Sequence, residues 1–99
     1  MAESSMDAVV RQMRDALLDT DLKILAAVNQ RLTLAARLES YAAQSGREGI
    51  TPAREEWMRR YVAGANRGPL TAEGLDSLFG TLADITRSEV DQGPAATGP

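Results

Sequence analysis

The longest uninterrupted helical pattern constrains this chain more than any other feature. The stretch from Met6 to Ala43 contains neither proline nor glycine and predicts one continuous helix, after a frayed segment at residues 1–5. At ~1.5 Å per residue this helix is roughly 57 Å long, whereas a compact globule of this size has a radius of gyration near ~13 Å. The remaining residues are too few to cover such a rod. We therefore expect the helix either to bend back on itself or to pack against a second copy.

The apolar residues of this stretch favour packing on two sides. One stripe advances in alternating steps of three and four residues and contains Met6, Val10, Met13, Leu17, Thr20, Ile24, Val28, Arg31, Ala35, Leu38 and Ala42. A second stripe contains Leu18, Leu22, Leu25, Asn29, Leu32 and Ala36. Such spacing is typical of a packed helical face. We expect one side to contact its own chain and the other a partner chain.

Two shorter helices follow. Gly46 and Gly49 indicate a loop. Thr51, followed by a proline, predicts the N-cap of a second helix that ends near Ala63.

A second break at Gly68-Pro69 precedes Thr71, which predicts the N-cap of a third helix reaching about Val90. No strand pattern or internal repeat is visible. The sequence therefore predicts an all-α fold with one very long and two shorter helices. We expect a single helical domain at residues 1–90 and a disordered tail at residues 91–99, which is rich in glycine, proline and alanine.

The amino-acid composition limits the kinds of reaction and partner that this chain can have. The chain has 99 residues, no cysteine and no histidine, so thiolate chemistry and the commonest general base and metal ligand are excluded. We expect no metal site and no cofactor. The net charge of −3 argues against a mainly electrostatic nucleic-acid binder. The absence of a signal peptide and of a long apolar run predicts a cytoplasmic protein without a membrane partner.

Four arginines predict an anion site. Most basic residues have a carboxylate three or four positions away, as Arg87 has in Asp84 and Asp91. Four helical arginines have no such neighbour: Arg14, Arg31, Arg37 and Arg54. For any one of them, exposure or pairing with another helix is a sufficient explanation. Taken together they favour a pocket for a small acid such as a dicarboxylate, because guanidinium groups bind carboxylates in a bidentate manner.

The start of the second helix has two interpretations. Glu55 and Glu56 suit a helix N-terminus and can pair with arginines one turn on. Because Glu55 directly follows Arg54, it could also bind a hydroxyl or amino group of the same ligand. The apolar residues Trp57, Met58 and Tyr61 are expected in the core or in an interface.

The spacing of these residues resembles that of the all-helical, AroQ-type chorismate mutases. The pieces are Arg14 within VVRQMRDALLDTDLKILAAVNQR, Arg31 at its end, TPAREEW with Arg54 and Glu55, and LDSLFGTLADITRSEV in the last helix. Residues 9–90 are covered without an obvious insertion.

The resemblance implies a fold and a set of roles. The family fold is an intertwined homodimer, in which Arg14 would enter the site of the partner subunit. Arg31 and Arg54 would act from their own chain, and Arg14 and Arg31 would hold substrate carboxylates. Glu55 would bind the C4 hydroxyl, and Thr86 would contact a carboxylate. The implied reaction is the pericyclic [3,3] rearrangement of chorismate to prephenate, which needs no nucleophile, metal or cofactor.

Two positions depart from the family pattern. Ala42 stands where the family has a lysine that donates to the breaking ether oxygen, and Val90 stands where it has an assisting glutamine. Loss of one such donor typically costs ~10²–10³ in rate. Arg37 and Arg47 are candidate replacements for the lysine.

Three hypotheses follow. The chain is an isomerase that acts, weakly when alone, on chorismate, isochorismate or 4-amino-4-deoxychorismate. Alternatively, it is a non-catalytic binding or regulatory relative. The third hypothesis is a plain helical interaction module. A companion enzyme of the same pathway is a possible further partner for the first two.

Overall fold

Three helices make up the described part of the chain. The computed structural model describes the backbone of residues 2–96 and the side chains of residues 5–91. Helix α1 spans Ala2–Gln44, α2 spans Pro52–Ala65 and α3 spans Ala72–Ala96. No strand occurs in residues 2–96, so the predicted all-α class with one long and two shorter helices is confirmed.

The helix starts follow the predicted capping. The Thr51 hydroxyl accepts a hydrogen bond from the Arg54 N–H at 3.1 Å, with Pro52 in the first turn. The Thr71 hydroxyl accepts one from the Gly74 N–H at 3.0 Å. Each bond satisfies a backbone donor that has no partner within its own helix.

The start of α1 and the ends of α2 and α3 differ from the predicted boundaries. Helix α1 begins at Ala2 rather than at Met6, α2 continues to Ala65, and α3 continues to Ala96. Glycine and proline disfavour helical backbone without forbidding it, and the ends of helices are therefore the least certain part of a sequence pattern. The predicted tail at residues 91–99 overlaps the end of α3, and residues 97–99 lie outside the described part.

The chain forms two compact units. The first, Met1–Arg31, contains most of α1. In it nine large apolar side chains are 40% to 67% exposed, and Val28 is half-buried. The nine are Met6, Val9, Val10, Met13, Leu17, Leu18, Leu22, Ile24 and Leu25. This unit therefore presents a helix whose apolar residues are not covered.

The second unit, Leu32–Pro99, contains the end of α1 and the two shorter helices. Helix α2 packs on α3. The buried residues of the described chain all lie in this unit and are Ala35, Ala42, Leu75 and Thr86. Within residues 2–96, no helix has a stretch long and apolar enough to cross a lipid bilayer.

Candidate functional site

A cavity in the second unit brings together polar residues from all three helices. It has a volume of about 220 Å³ and is lined by Glu39, Ile50, Pro52, Glu55, Thr86, Arg87, Val90 and Asp91. We call it the Glu55 cavity. A second, more open cavity of about 390 Å³ shares Glu39, Val90 and Asp91 and adds Ala36 and Ser40. The two cavities are therefore neighbours along the same face of α3.

Glu39 fixes the loop between α1 and α2 at one side of the cavity. Its carboxylate accepts a hydrogen bond from the Ile50 N–H. Gly49 lies against the same carboxylate, because a Cβ built on Gly49 would come within 2.7 Å of Glu39 Cδ. The glycine thus allows the carboxylate to approach the loop backbone closely.

Glu55 is held from across the helix pair. The Arg87 Nη1 donates to both carboxylate oxygens of Glu55, at 2.9 and 3.1 Å. The Arg87 Nη2 also donates to Asp84 at 2.5 Å within α3. The Glu55 side chain is 19% exposed and that of Arg87 is 55% exposed. This ion pair joins α2 to α3 at the wall of the cavity.

Thr86 is the buried hydroxyl of the site. It is 3% exposed and donates a hydrogen bond to the Leu82 carbonyl, at 2.7 Å, in the preceding turn of α3. The next residue is Arg87, and Val90 follows one turn later; all three line the Glu55 cavity. One side of α3 therefore contributes a hydroxyl, a guanidinium and an apolar side chain.

Arg54 lies on another side of α2. Its guanidinium is 5.3 Å from the centroid of the Trp57 ring, which stacks on Tyr61 with centroids 5.4 Å apart. The two rings are 48% and 66% exposed, and Met58 beside them is 44% exposed. These apolar residues are therefore not core residues within the chain, and the expected interface around them stays a prediction.

The structure groups some of the predicted site residues and not others. Glu55, Thr86 and Val90 line one cavity, whereas Arg54 is not among its lining residues. Ala42 is buried in the second unit, 7% exposed, without lining the cavity. Arg14 and Arg31 belong to the first unit. No group of histidine, cysteine or acidic side chains within residues 5–91 could hold a metal ion.

Three charged lining residues, Glu39, Arg87 and Asp91, are not among the site residues that the sequence predicts. Arg87 and Asp91 are spaced for a local pair on α3, so neither indicates a site. Glu39 could have been found, because the residues three and four positions from it, on both sides, are all alanine. A carboxylate in that setting has no partner on its own helix. The criterion used for the four arginines, which is the lack of an oppositely charged residue three or four positions away, therefore includes Glu39 among the acidic residues that it selects.

A second predicted pair is local. Arg59 Nη2 donates to Glu56 at 2.9 Å within α2, as the spacing predicted. The hydrogen bond to Glu56, and then the charge of the same carboxylate, raise the pKa of the Arg59 guanidinium above its ordinary value. Arg59 does not line the Glu55 cavity.

No protein-family model, no curated protein and no solved structure gives a significant match to this chain. The functional argument therefore depends on the residues themselves.

Proposed function

We propose that this chain is a chorismate-mutase-like isomerase of the AroQ type that works as an intertwined homodimer. Its substrate is chorismate or a close relative, and its activity alone is weak. The observation that carries the proposal is that Glu55, Thr86 and Val90, from two different helices, line one cavity. These are three of the four α2 and α3 positions that the resemblance singles out; the fourth, Arg54, does not line the cavity.

The charge of the cavity explains why the proposal includes a second copy. The described lining has three carboxylates, from Glu39, Glu55 and Asp91, and one guanidinium, from Arg87. A dicarboxylate needs more positive charge than one chain provides there. The cavity of about 220 Å³ is also smaller than the ~300–1,000 Å³ usual for small-molecule sites. In the proposed dimer, Arg14 of a second copy would supply further positive charge, and the resemblance assigns Arg31 and Arg54 to the same set of carboxylate-binding arginines, the carboxylate clamp.

The weak activity follows from two apolar positions. The rearrangement is accelerated by holding the substrate in its reactive conformation and by donors to the ether oxygen. Neither Ala42 nor Val90 carries a donor. The clamp would orient the substrate, but the charge that develops on the oxygen would be poorly stabilised.

The direct test is an ultraviolet assay of substrate loss with the products resolved. We expect slow turnover of chorismate, isochorismate or 4-amino-4-deoxychorismate. Absence of turnover of all three acids at high protein concentration would contradict the isomerase.

A lysine at position 42 provides a sharper test. We expect Ala42→Lys to raise the rate by about tenfold or more, because it restores a donor worth ~10²–10³ in such sites. Ala42 is buried whereas Ala43 is exposed, so Ala43→Lys is the matched control that adds the same charge one position away. Circular dichroism confirms that both variants are folded. A rate that stays unchanged or falls in folded Ala42→Lys would contradict the alignment with the family.

A non-catalytic binding or regulatory protein is the second candidate. It is favoured by the Glu55–Arg87 ion pair, because the carboxylate that the resemblance assigns to the substrate hydroxyl is already paired within the chain. For such a protein, the melting temperature should rise with the concentration of chorismate, and no product should form. If chorismate causes neither stabilisation nor turnover, the plain helical interaction module is the remaining hypothesis.

A further inference from the structure

We propose that Arg87 is a binding residue of the Glu55 cavity and holds a carboxylate of the substrate. This inference rests on the proposed function and identifies a cation of the cavity that can hold a substrate carboxylate, which is a different role from that of the lysine absent at position 42. The sequence assigned Arg87 to a local pair on α3, whereas the structure places its guanidinium at the cavity wall against α2.

The position of Arg87 suits this role. It follows the buried Thr86 and precedes Val90 by one turn, and all three residues line the cavity. It is the one basic residue among the described residues of that lining. An anion that enters the cavity would therefore meet this guanidinium among carboxylates that repel it.

The present bonds of Arg87 leave it able to bind a ligand. A guanidinium has five N–H donors, more than its three hydrogen bonds to Glu55 and Asp84 require. Its side chain is 55% exposed and that of Glu55 is 19% exposed, so a ligand can reach the guanidinium and exchange with a partly exposed ion pair. An incoming carboxylate can thus be bound in the bidentate geometry that arginine favours. The same exchange would release Glu55 for a hydroxyl of the ligand.

The other candidate arginines are less well placed. Arg37 and Arg47 are both exposed, and neither is a lining residue of the Glu55 cavity. The Arg54 guanidinium lies over Trp57. Arg87 is therefore the better candidate for the positive charge that holds a substrate carboxylate in this cavity.

The test is calorimetric titration of chorismate into the full-length protein and its variants. We expect Arg87→Gln to weaken binding by about tenfold or more, because a hydrogen-bonded charge is lost. Arg87→Lys should bind with intermediate affinity, since it keeps the charge and loses the bidentate fork. Arg59→Gln is the matched control, because it also removes an ion-paired arginine that lies outside this cavity. Its affinity should equal that of the wild type.

The outcomes separate this inference from the proposed function. Wild-type affinity in folded Arg87→Gln would overturn the role of Arg87 while the proposed function stands. Failure of the wild-type protein to bind any of the three acids would overturn both. If Arg87→Gln does not fold, the lysine variant decides. Weakened binding by folded Arg87→Lys supports the inference, and unchanged binding overturns it.

Discussion

At the scale of single residues, Gly49 and Glu39 form a pair whose coupling can be measured. A Cβ at position 49 would lie 2.7 Å from Glu39 Cδ, so Gly49→Ala should displace the carboxylate that accepts the Ile50 N–H. We expect a loss of about 1–2 kcal/mol in the free energy of unfolding, measured with urea. In the Glu39→Ala background the same substitution should be neutral or stabilising by up to about 1 kcal/mol.

The backbone conformation at position 49 adds no strain of its own to the comparison of Gly49→Ala in the two backgrounds. Gly49 lies outside the left-handed region that Gly46 occupies at a φ of 68°, so alanine itself is not strained there. Gly64 in α2 is the control, because a Cβ there meets no atom within 4 Å. Gly64→Ala should stabilise the chain by about 0.5–1 kcal/mol. Equal effects of Gly49→Ala in both backgrounds would rule out the coupling.

The predictable ion pairs were those set by helix geometry alone. The Arg59–Glu56 and Arg87–Asp84 pairs join residues three positions apart, which meet on any α-helix. The Glu55–Arg87 pair depends on how α2 is positioned on α3. The spacing of residues along the chain does not indicate how two helices align against each other. The sequence therefore predicts only the local partner of Arg87.

At the scale of elements, the N-cap of α3 can be tested without disturbing the candidate site. The Thr71 hydroxyl accepts the Gly74 N–H, and Thr71 does not line the Glu55 cavity. We expect Thr71→Ala to lower the free energy of unfolding by about 1 kcal/mol. Thr71→Ser keeps the acceptor and should retain most of the stability. Equal losses in both variants, measured with urea, would exclude capping as the cause.

The capped starts of α2 and α3 were more predictable than the uncapped start of α1 and the ends of the helices. A start is determined by a side-chain acceptor at a fixed position, and both predicted caps, Thr51 and Thr71, are confirmed. The end of α3 was expected near Val90, because glycine and proline follow it, but the helix continues to Ala96. Glycine and proline lower the stability of helical backbone, but they do not determine the residue at which the helix ends.

At the scale of the whole molecule, burial within one chain is sparse. No side chain among residues 5–91 is fully buried, and nine large apolar residues of Met1–Arg31 are 40% to 67% exposed. Small domains bury a smaller fraction of their surface than large domains do, and their net stability is marginal. An uncovered apolar stripe of this extent is typical of an interaction surface. The proposed homodimer would cover it with the same helix of a second copy.

A charge placed in this stripe therefore tests the proposed dimer. We expect the wild-type protein to sediment as a dimer at micromolar concentration, with a melting temperature that rises with protein concentration. Leu17 is 64% exposed, and Leu17→Lys should shift the protein to a monomer, because a desolvated ammonium is costly in an apolar interface. Gln12→Lys adds the same charge at an exposed polar position of the same helix and should remain dimeric. A wild-type monomer, or equal dissociation in both variants, would contradict assembly through this stripe.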